Sequence, residues 1–264
     1  MAGSLLGAAQ HRRIVARYRQ MRQGYDCTYD EWQSLFTPQL HPFDNYPDTT
    51  AVTMPVRHEP FSQDFAGIGQ GAIGLDLPTW FNIRPGNRRV MLVFQDPLRD
   101  ADSYGACCDA VLSSPFGLHD KTHREHPHGG KMAEELVKRL VAAGYGVYLT
   151  DARKYFVHDR KTTRAYSRTR MPLYADILKR EIDLVQPAVC LAIGRVAERA
   201  LAAVVTDVPR GELPHLSGTA RGAMVKRYPQ LKEIGATAGH IAQVYTGEII
   251  AYMEQAENPT KQSK

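Results

Sequence analysis

The sequence predicts an α/β protein: three layers, α/β/α, around a central, mainly parallel four-stranded sheet. Three observations predict it. Short apolar runs alternate with segments of helical period from Arg89 onward, the pattern of βαβ units with right-handed crossovers. The runs are apolar throughout rather than alternating, as expected of strands covered on both faces. Each run stops abruptly at polar residues, as in "VMLVFQDPLRD" (Val90–Asp100), where ligands of parallel sheets bind.

Taken in order, the first strand is expected at 89–94, followed by a long loop and a helix over 130–143 ("GKMAEELVKRLVAA") ended by Gly144. A strand at 146–150 ("GVYLT") precedes a basic insertion and a helix near 172–186. A strand at 188–193 ("AVCLAI"), a helix at 195–204 and a last helix around 239–255 complete the pattern. Upstream, residues 1–24 place Ile14, Val15, Tyr18 and Met21 at helical spacing among Arg12, Arg13, Arg17, Arg19 and Arg22, a basic amphipathic helix. Residues 36–87 are rich in Pro, Gly and Asp with little sustained period, which suits a segment that wraps a core. The expected organisation is therefore an N-terminal helix and wrapping extension over 1–88, belonging to the same domain as the α/β unit of 89–255. A polar, disordered tail is expected at 256–264. The glycines Gly67, Gly69, Gly71 and Gly74 of "GIGQGAIG" lack the strand–turn–helix context of a dinucleotide loop.

Composition narrows the class. Of 264 residues 43% are hydrophobic and 23% charged, and no apolar run approaches the roughly 20 residues that span a bilayer, so no membrane role and no signal peptide are expected and the protein is read as cytoplasmic. Cys27, Cys107, Cys108 and Cys190 form no CxxC pair and are read as reduced thiols. The net charge is +5. Between Arg153 and Arg170 seven cations (Arg153, Lys154, Arg160, Lys161, Arg164, Arg168, Arg170) face one acid, Asp159, with Tyr155, Phe156 and Tyr166 interleaved. Cations neutralise phosphates and aromatics stack on unpaired bases, so a nucleic-acid partner is expected.

Strand tips carry the candidate chemistry: Gln95 and Asp96 after the first, Asp151 after the second, His215 and Ser217 in the last segment. In a parallel sheet these tips share one edge. The order and wording of the motifs resemble the uracil-DNA glycosylase superfamily over roughly residues 89–225. "FQDPLRD" looks like its G-Q-D-P-Y-H motif, and "VYLTDARKYF" resembles its strand ending in Asn. "EIDLVQPAVCLAIGRVAERAL" is similar to its helix–Pro–strand–Gly–helix unit, and "HLSGTARG" to its H-P-S motif.

The resemblance implies a monomeric enzyme that binds DNA, extrudes a pyrimidine and hydrolyses its bond to the sugar without a cofactor or metal. It implies that Asp96 is the catalytic carboxylate, orienting water beside an oxocarbenium-like sugar, and that His215 donates a hydrogen bond to the departing base. Gln95, Leu98, Phe116 and Asp151 would line the base pocket, Phe116 as its stacking aromatic. Ser217, Gly218 and Arg221 would hold phosphate, with Arg153, Lys154, Lys161 and Arg164 as further DNA contacts.

Two departures bear on the substrate. Leu98 stands where the family has a Tyr that excludes bulk at pyrimidine carbon 5. Asp151 stands where uracil enzymes have Asn; an ionised carboxylate only accepts hydrogen bonds, so it would favour the amino group of cytosine over uracil's O4. Together they suggest a 5-modified cytosine, such as the hypermodified cytosines of some bacteriophage genomes, and a role in phage defence. Alternatives are repair of uracil or a damaged pyrimidine, with Asp151 capping a turn or pairing with Arg153, and a non-catalytic DNA-binding module. Leu216 replaces the Pro of H-P-S, and Thr219 stands where the family has its intercalating Leu, so another residue, with Arg221 as the candidate, would have to fill the emptied stack. His119, His123, His126 and His128 raise a metallohydrolase as a rival but lack metal-ligand spacing, and suit a loop over the pocket.

Overall fold

The computed structural model describes residues 52–54, 73–76, 78–83, 85–98, 110–118, 130–157 and 160–257. Nine strands form two sheets among them. The larger is built from β3 (Thr79–Phe81), β4 (Arg89–Phe94), β6 (Gly146–Asp151), β8 (Val189–Ile193) and β9 (Arg210–Leu213), in the order β3-β6-β4-β8-β9. Strands β6, β4, β8 and β9 run parallel, in the registers Phe94↔Asp151, Leu92↔Leu191 and Ile193↔Leu213. The fifth strand, β3, is antiparallel to β6, with Trp80 opposite Tyr148. The expected sheet of four thus becomes a mixed sheet of five. Three residues between Pro78 and Asn82 are too few to display a period, so β3 could not be read from sequence.

Helices cover both faces. Along β4 the pleat sends Met91 and Val93 to one side and Val90, Leu92 and Phe94 to the other. The first set packs with Tyr148, Cys190 and Ala192 against α2 (Arg160–Val185) and α3 (Arg195–Ala202). The second packs with Val147, Leu149, Leu191 and Ile193 against α1 (Gly130–Ala142) and α5 (Ala238–Glu257). These residues are almost completely withdrawn from water, which is why the runs read as uniformly apolar. The short α4 (Arg221–Arg227) follows the last strand. Helix α2 corrects the expected boundary: it begins at Arg160, not near 172, and continues through Pro172. Its inward face over the first turns carries Thr163 and Ser167, buried but polar, so the helical period was hidden while Lys161, Arg164 and Arg168 pointed outward.

The smaller sheet has the order β1-β5-β2-β7, from β1 (Val52–Met54), β2 (Ile73–Asp76), β5 (Ala110–Ser113) and β7 (Phe156–Val157). Strands β2 and β5 are parallel and end side by side, Asp76 opposite Ser113. Gly74 lies inside β2, whereas the other glycines of "GIGQGAIG" lie outside the described residues. So do the expected N-terminal helix, three of the four cysteines, the histidine-rich loop and the tail beyond Glu257. Among the described residues no helix is long and apolar enough to cross a membrane.

Candidate active site at the carboxyl edge of the sheet

Because β4, β6, β8 and β9 are parallel, their carboxyl ends share one edge, and the backbone keeps them together past the last paired residues. Ala152 N–H donates to Phe94 O at 2.9 Å and Arg153 N–H to Gln95 O at 3.0 Å. Gly194 N–H donates to Leu213 O at 2.8 Å. Gln95, Asp96, Asp151, Gly194 and His215 are therefore brought to the same rim.

Asp96 has a side-chain exposure of 6%. Gln95 Nε2 donates to its Oδ2 at 2.9 Å, and the Arg153 guanidinium reaches the same oxygen at 3.2 Å. Among the described residues no hydrogen bond falls on Oδ1. Two donors on one oxygen fix the carboxylate plane and leave the other oxygen to a ligand or water. The chain turns sharply after the acid, Leu98 N–H donating to Asp96 O at 2.8 Å, and Leu98 itself is half exposed. Arg153, expected on phosphate, is thus held beside Asp96, and it pairs there rather than with Asp151.

Phe116 joins two strand tips. Its ring meets Phe94, the last residue of β4, edge-on at 4.8 Å between centroids, and lies 6.0 Å from the His215 imidazole. It sits in a short 3-10 turn (Pro115–Gly117) with φ 57° and ψ 16°. A non-glycine residue in this left-handed region costs on the order of 1 kcal/mol, and such strain concentrates where a side chain must be aimed. His215 rests on Gly194: a Cβ added there would stand 3.2 Å from His215 Cβ, and φ at Gly194 is +92°. Only glycine meets both conditions, so the G of "AIGRV" is a seat for the imidazole.

Asp151 is 3% exposed and Asp76, from the small sheet, 4%. Burial first, then the charge of Asp76, pushes the Asp151 carboxyl well above the ordinary carboxylate range; Lys154 pulls the other way, and Asp96 and a side-chain hydrogen bond with Asp76 add to the rise. Among the described residues Asp151 Oδ2 is buried without a hydrogen-bond partner. The expectation of an ionised carboxylate at 151 thus meets a position where burial and the neighbouring acids disfavour the charged form. Asp76 was missed altogether, because no motif surrounds it and its sheet joins distant segments.

Lys154 is also corrected. It is fully buried, its Nζ donating to Thr150 Oγ1 at 2.8 Å and to Glu181 Oε2 at 3.1 Å, so it braces β6 against α2 instead of meeting DNA. Lys161 and Arg164 are exposed on α2. Ser217 Oγ lies 3.0 Å from Thr219 Oγ1, Gly218 opens a 3-10 turn, and Arg221 is exposed at the start of α4. Leu216 is fully buried, an anchor beneath the segment that carries His215. Cys190 is buried in the sheet, and burial pushes its thiol up to about 12, which leaves it inert. No protein-family model matches the chain, and no curated protein is similar to it.

Proposed function

We propose that the chain is a DNA glycosylase of the uracil-DNA glycosylase type, acting on a flipped-out pyrimidine. The observation that supports this best is the rim itself: an oriented carboxylate whose second oxygen is unengaged among the described residues, an aromatic ring against an imidazole, and a second acid share one sheet edge. In the reaction proposed, the bond between sugar C1′ and the base nitrogen breaks and its electron pair leaves with the base. Asp96 faces the cationic sugar, takes a proton from the attacking water, and so completes an abasic site. His215 donates to the base oxygen where negative charge gathers, and Phe116 stacks on the ring. Lys161, Arg164 and Arg221, exposed cations, would meet phosphate together with Ser217 and Gly218.

The preferred substrate in this reading is a 5-modified cytosine. Leu98, half exposed, leaves the carbon-5 side unwalled by a rigid ring, and a carboxyl at 151 differs from an amide in what it offers the base edge. Removing such bases would act against DNA that carries them, in defence against phage rather than in repair, within the cytoplasm and by a monomer. The test is incubation with duplex and single-stranded DNAs containing uracil, 5-hydroxymethylcytosine or its glucosylated form, followed by alkaline cleavage at abasic sites. Release of modified cytosine is expected, falling about 10²–10⁴-fold in Asp96→Asn with DNA affinity retained. Release of uracil alone would make the protein a repair glycosylase, and no release from any DNA would leave a binding module.

A further inference from the structure

The segment that follows β6 is tied on two sides, and both ties bear on the acid at the neighbouring strand tip. Toward β4, Ala152 N–H donates to Phe94 O at 2.9 Å and Arg153 N–H to Gln95 O at 3.0 Å, which holds Arg153 level with Gln95 and Asp96. Toward α2, the next residue, Lys154, is fully buried with its Nζ on Thr150 Oγ1 at 2.8 Å and on Glu181 Oε2 at 3.1 Å. The lysine fixes the bend in the core, and the arginine before it reaches the rim. There Arg153 Nη1 lies 3.2 Å from Asp96 Oδ2, the two side chains 16% and 6% exposed.

We propose that Arg153 is a positioning residue for Asp96, and that the buried Lys154–Glu181 pair sets it in place from α2. This rests on the glycosylase reading and extends it. A carboxylate that turns over exchanges its two oxygens, and a water aligned by one of them loses its line of attack. With Gln95 Nε2 at 2.9 Å and the guanidinium both on Oδ2, that exchange breaks two hydrogen bonds, one of them between charged partners and therefore the stronger. Oδ1, on which no described residue donates, is left to the water: the water's O–H bond breaks, the proton goes to Oδ1, and the oxygen closes on C1′. A cation beside Asp96 opposes the positive charge that develops on the sugar, so what Arg153 contributes is orientation. Arginine is long and rich in rotamers, and its guanidinium stays on one oxygen only if its backbone is held. Lys154 and Glu181 supply that hold.

The contact is tested first on the protein alone, by urea denaturation of Arg153→Met, Asp96→Asn and the double variant. The shifts in midpoint should not add; additive shifts overturn the pairing. The role is tested by single-turnover base release from DNAs containing uracil or 5-hydroxymethylcytosine, with DNA binding measured beside it. Arg153→Met should slow release from bound DNA by about 10–10²-fold with Kd for DNA changed by less than about twofold, and Arg153→Lys, which keeps a charged donor, should recover part of the rate. A loss confined to Kd, with a weaker salt dependence, makes Arg153 a phosphate contact and overturns the role. Lys154→Met combined with Glu181→Leu leaves no buried charge and should slow release in the same way without weakening DNA binding. Thr150→Val, which loosens the same clamp without stranding a charge, should act in the same direction. Wild-type rates in these variants overturn the part assigned to α2. If wild-type protein releases no base, the glycosylase reading fails and the catalytic role with it, while non-additive midpoints keep Arg153 on Asp96.

Discussion

Two buried ionisable clusters sit on opposite faces of the same strand tip, one residue apart in sequence. Thr150 points toward α2, where Glu181 and Lys154 close a triangle: the hydroxyl donates to Glu181 Oε2 at 3.0 Å and the ammonium donates to both. Asp151 points the other way; burial and then the charge of Asp76 raise its carboxyl, and its Oδ2 has no hydrogen-bond partner among the described residues. In the first cluster each charge is answered within the protein, as stability requires. In the second, Asp151 Oδ2 has no hydrogen-bond partner among the described residues. Unanswered groups of this kind mark places where a ligand completes the structure, and the two clusters therefore separate support from proposed chemistry within a few ångströms of chain.

The largest expected effect tests the closed cluster. Lys154→Met would strand Glu181 at 1% exposure and should cost about 3–5 kcal/mol by urea denaturation. Lys154→Met combined with Glu181→Leu should recover much of that loss, since no buried charge remains. Simple additivity of the two substitutions would mean that the ion pair is not one unit.

Next comes the pH dependence of the open cluster. The folded Asp151 carboxyl is raised above its unfolded value near 3.9, so the folded protein binds more protons above that pH. Its contribution is fully present below the unfolded value and is lost as pH rises through the folded one. The stability of wild type relative to Asp151→Asn should therefore decline with rising pH above about 4, by at most about 1.4 kcal/mol per pH unit. A difference that grows with pH would reverse the assignment. Thermal unfolding of both proteins across a pH series reads it directly.

The smallest effect on stability belongs to the exposed cations. Lys161→Ala and Arg164→Ala should change it by no more than about 0.5 kcal/mol. Each should lower the salt dependence of DNA binding by about one phosphate contact. Loss of stability without a change in salt dependence would place these residues with Lys154 instead.

The parallel core was legible because its signal is local. Val90–Phe94, Val147–Leu149 and Val189–Ile193 are apolar wherever they are read, and the helices between them repeat their apolar residues at 3.6 spacing. Asp96 and His215 were legible as strand-tip residues flanked by turn-forming neighbours. Phe116 stood out only as an aromatic in "SSPFG"; its left-handed backbone and its place against both Phe94 and His215 belong to the fold. Lys154 was misread because a lysine among arginines looks the same in sequence whether it faces water or Glu181, and that acid lies 27 positions away.

What the sequence by itself determined is three parallel strands of the larger sheet, at 89–94, 146–150 and 188–193, most of the covering helices and the polar residues at their carboxyl edge, since each depends on neighbours within a few residues. Tertiary structure alone decided which acids meet cations. That outcome depends on contacts such as that of Lys154, just past β6, with Glu181 of α2, 27 positions away. Protonation and hydrogen bonding follow from separations in space, and contacts between distant chain segments leave no periodic trace along the chain.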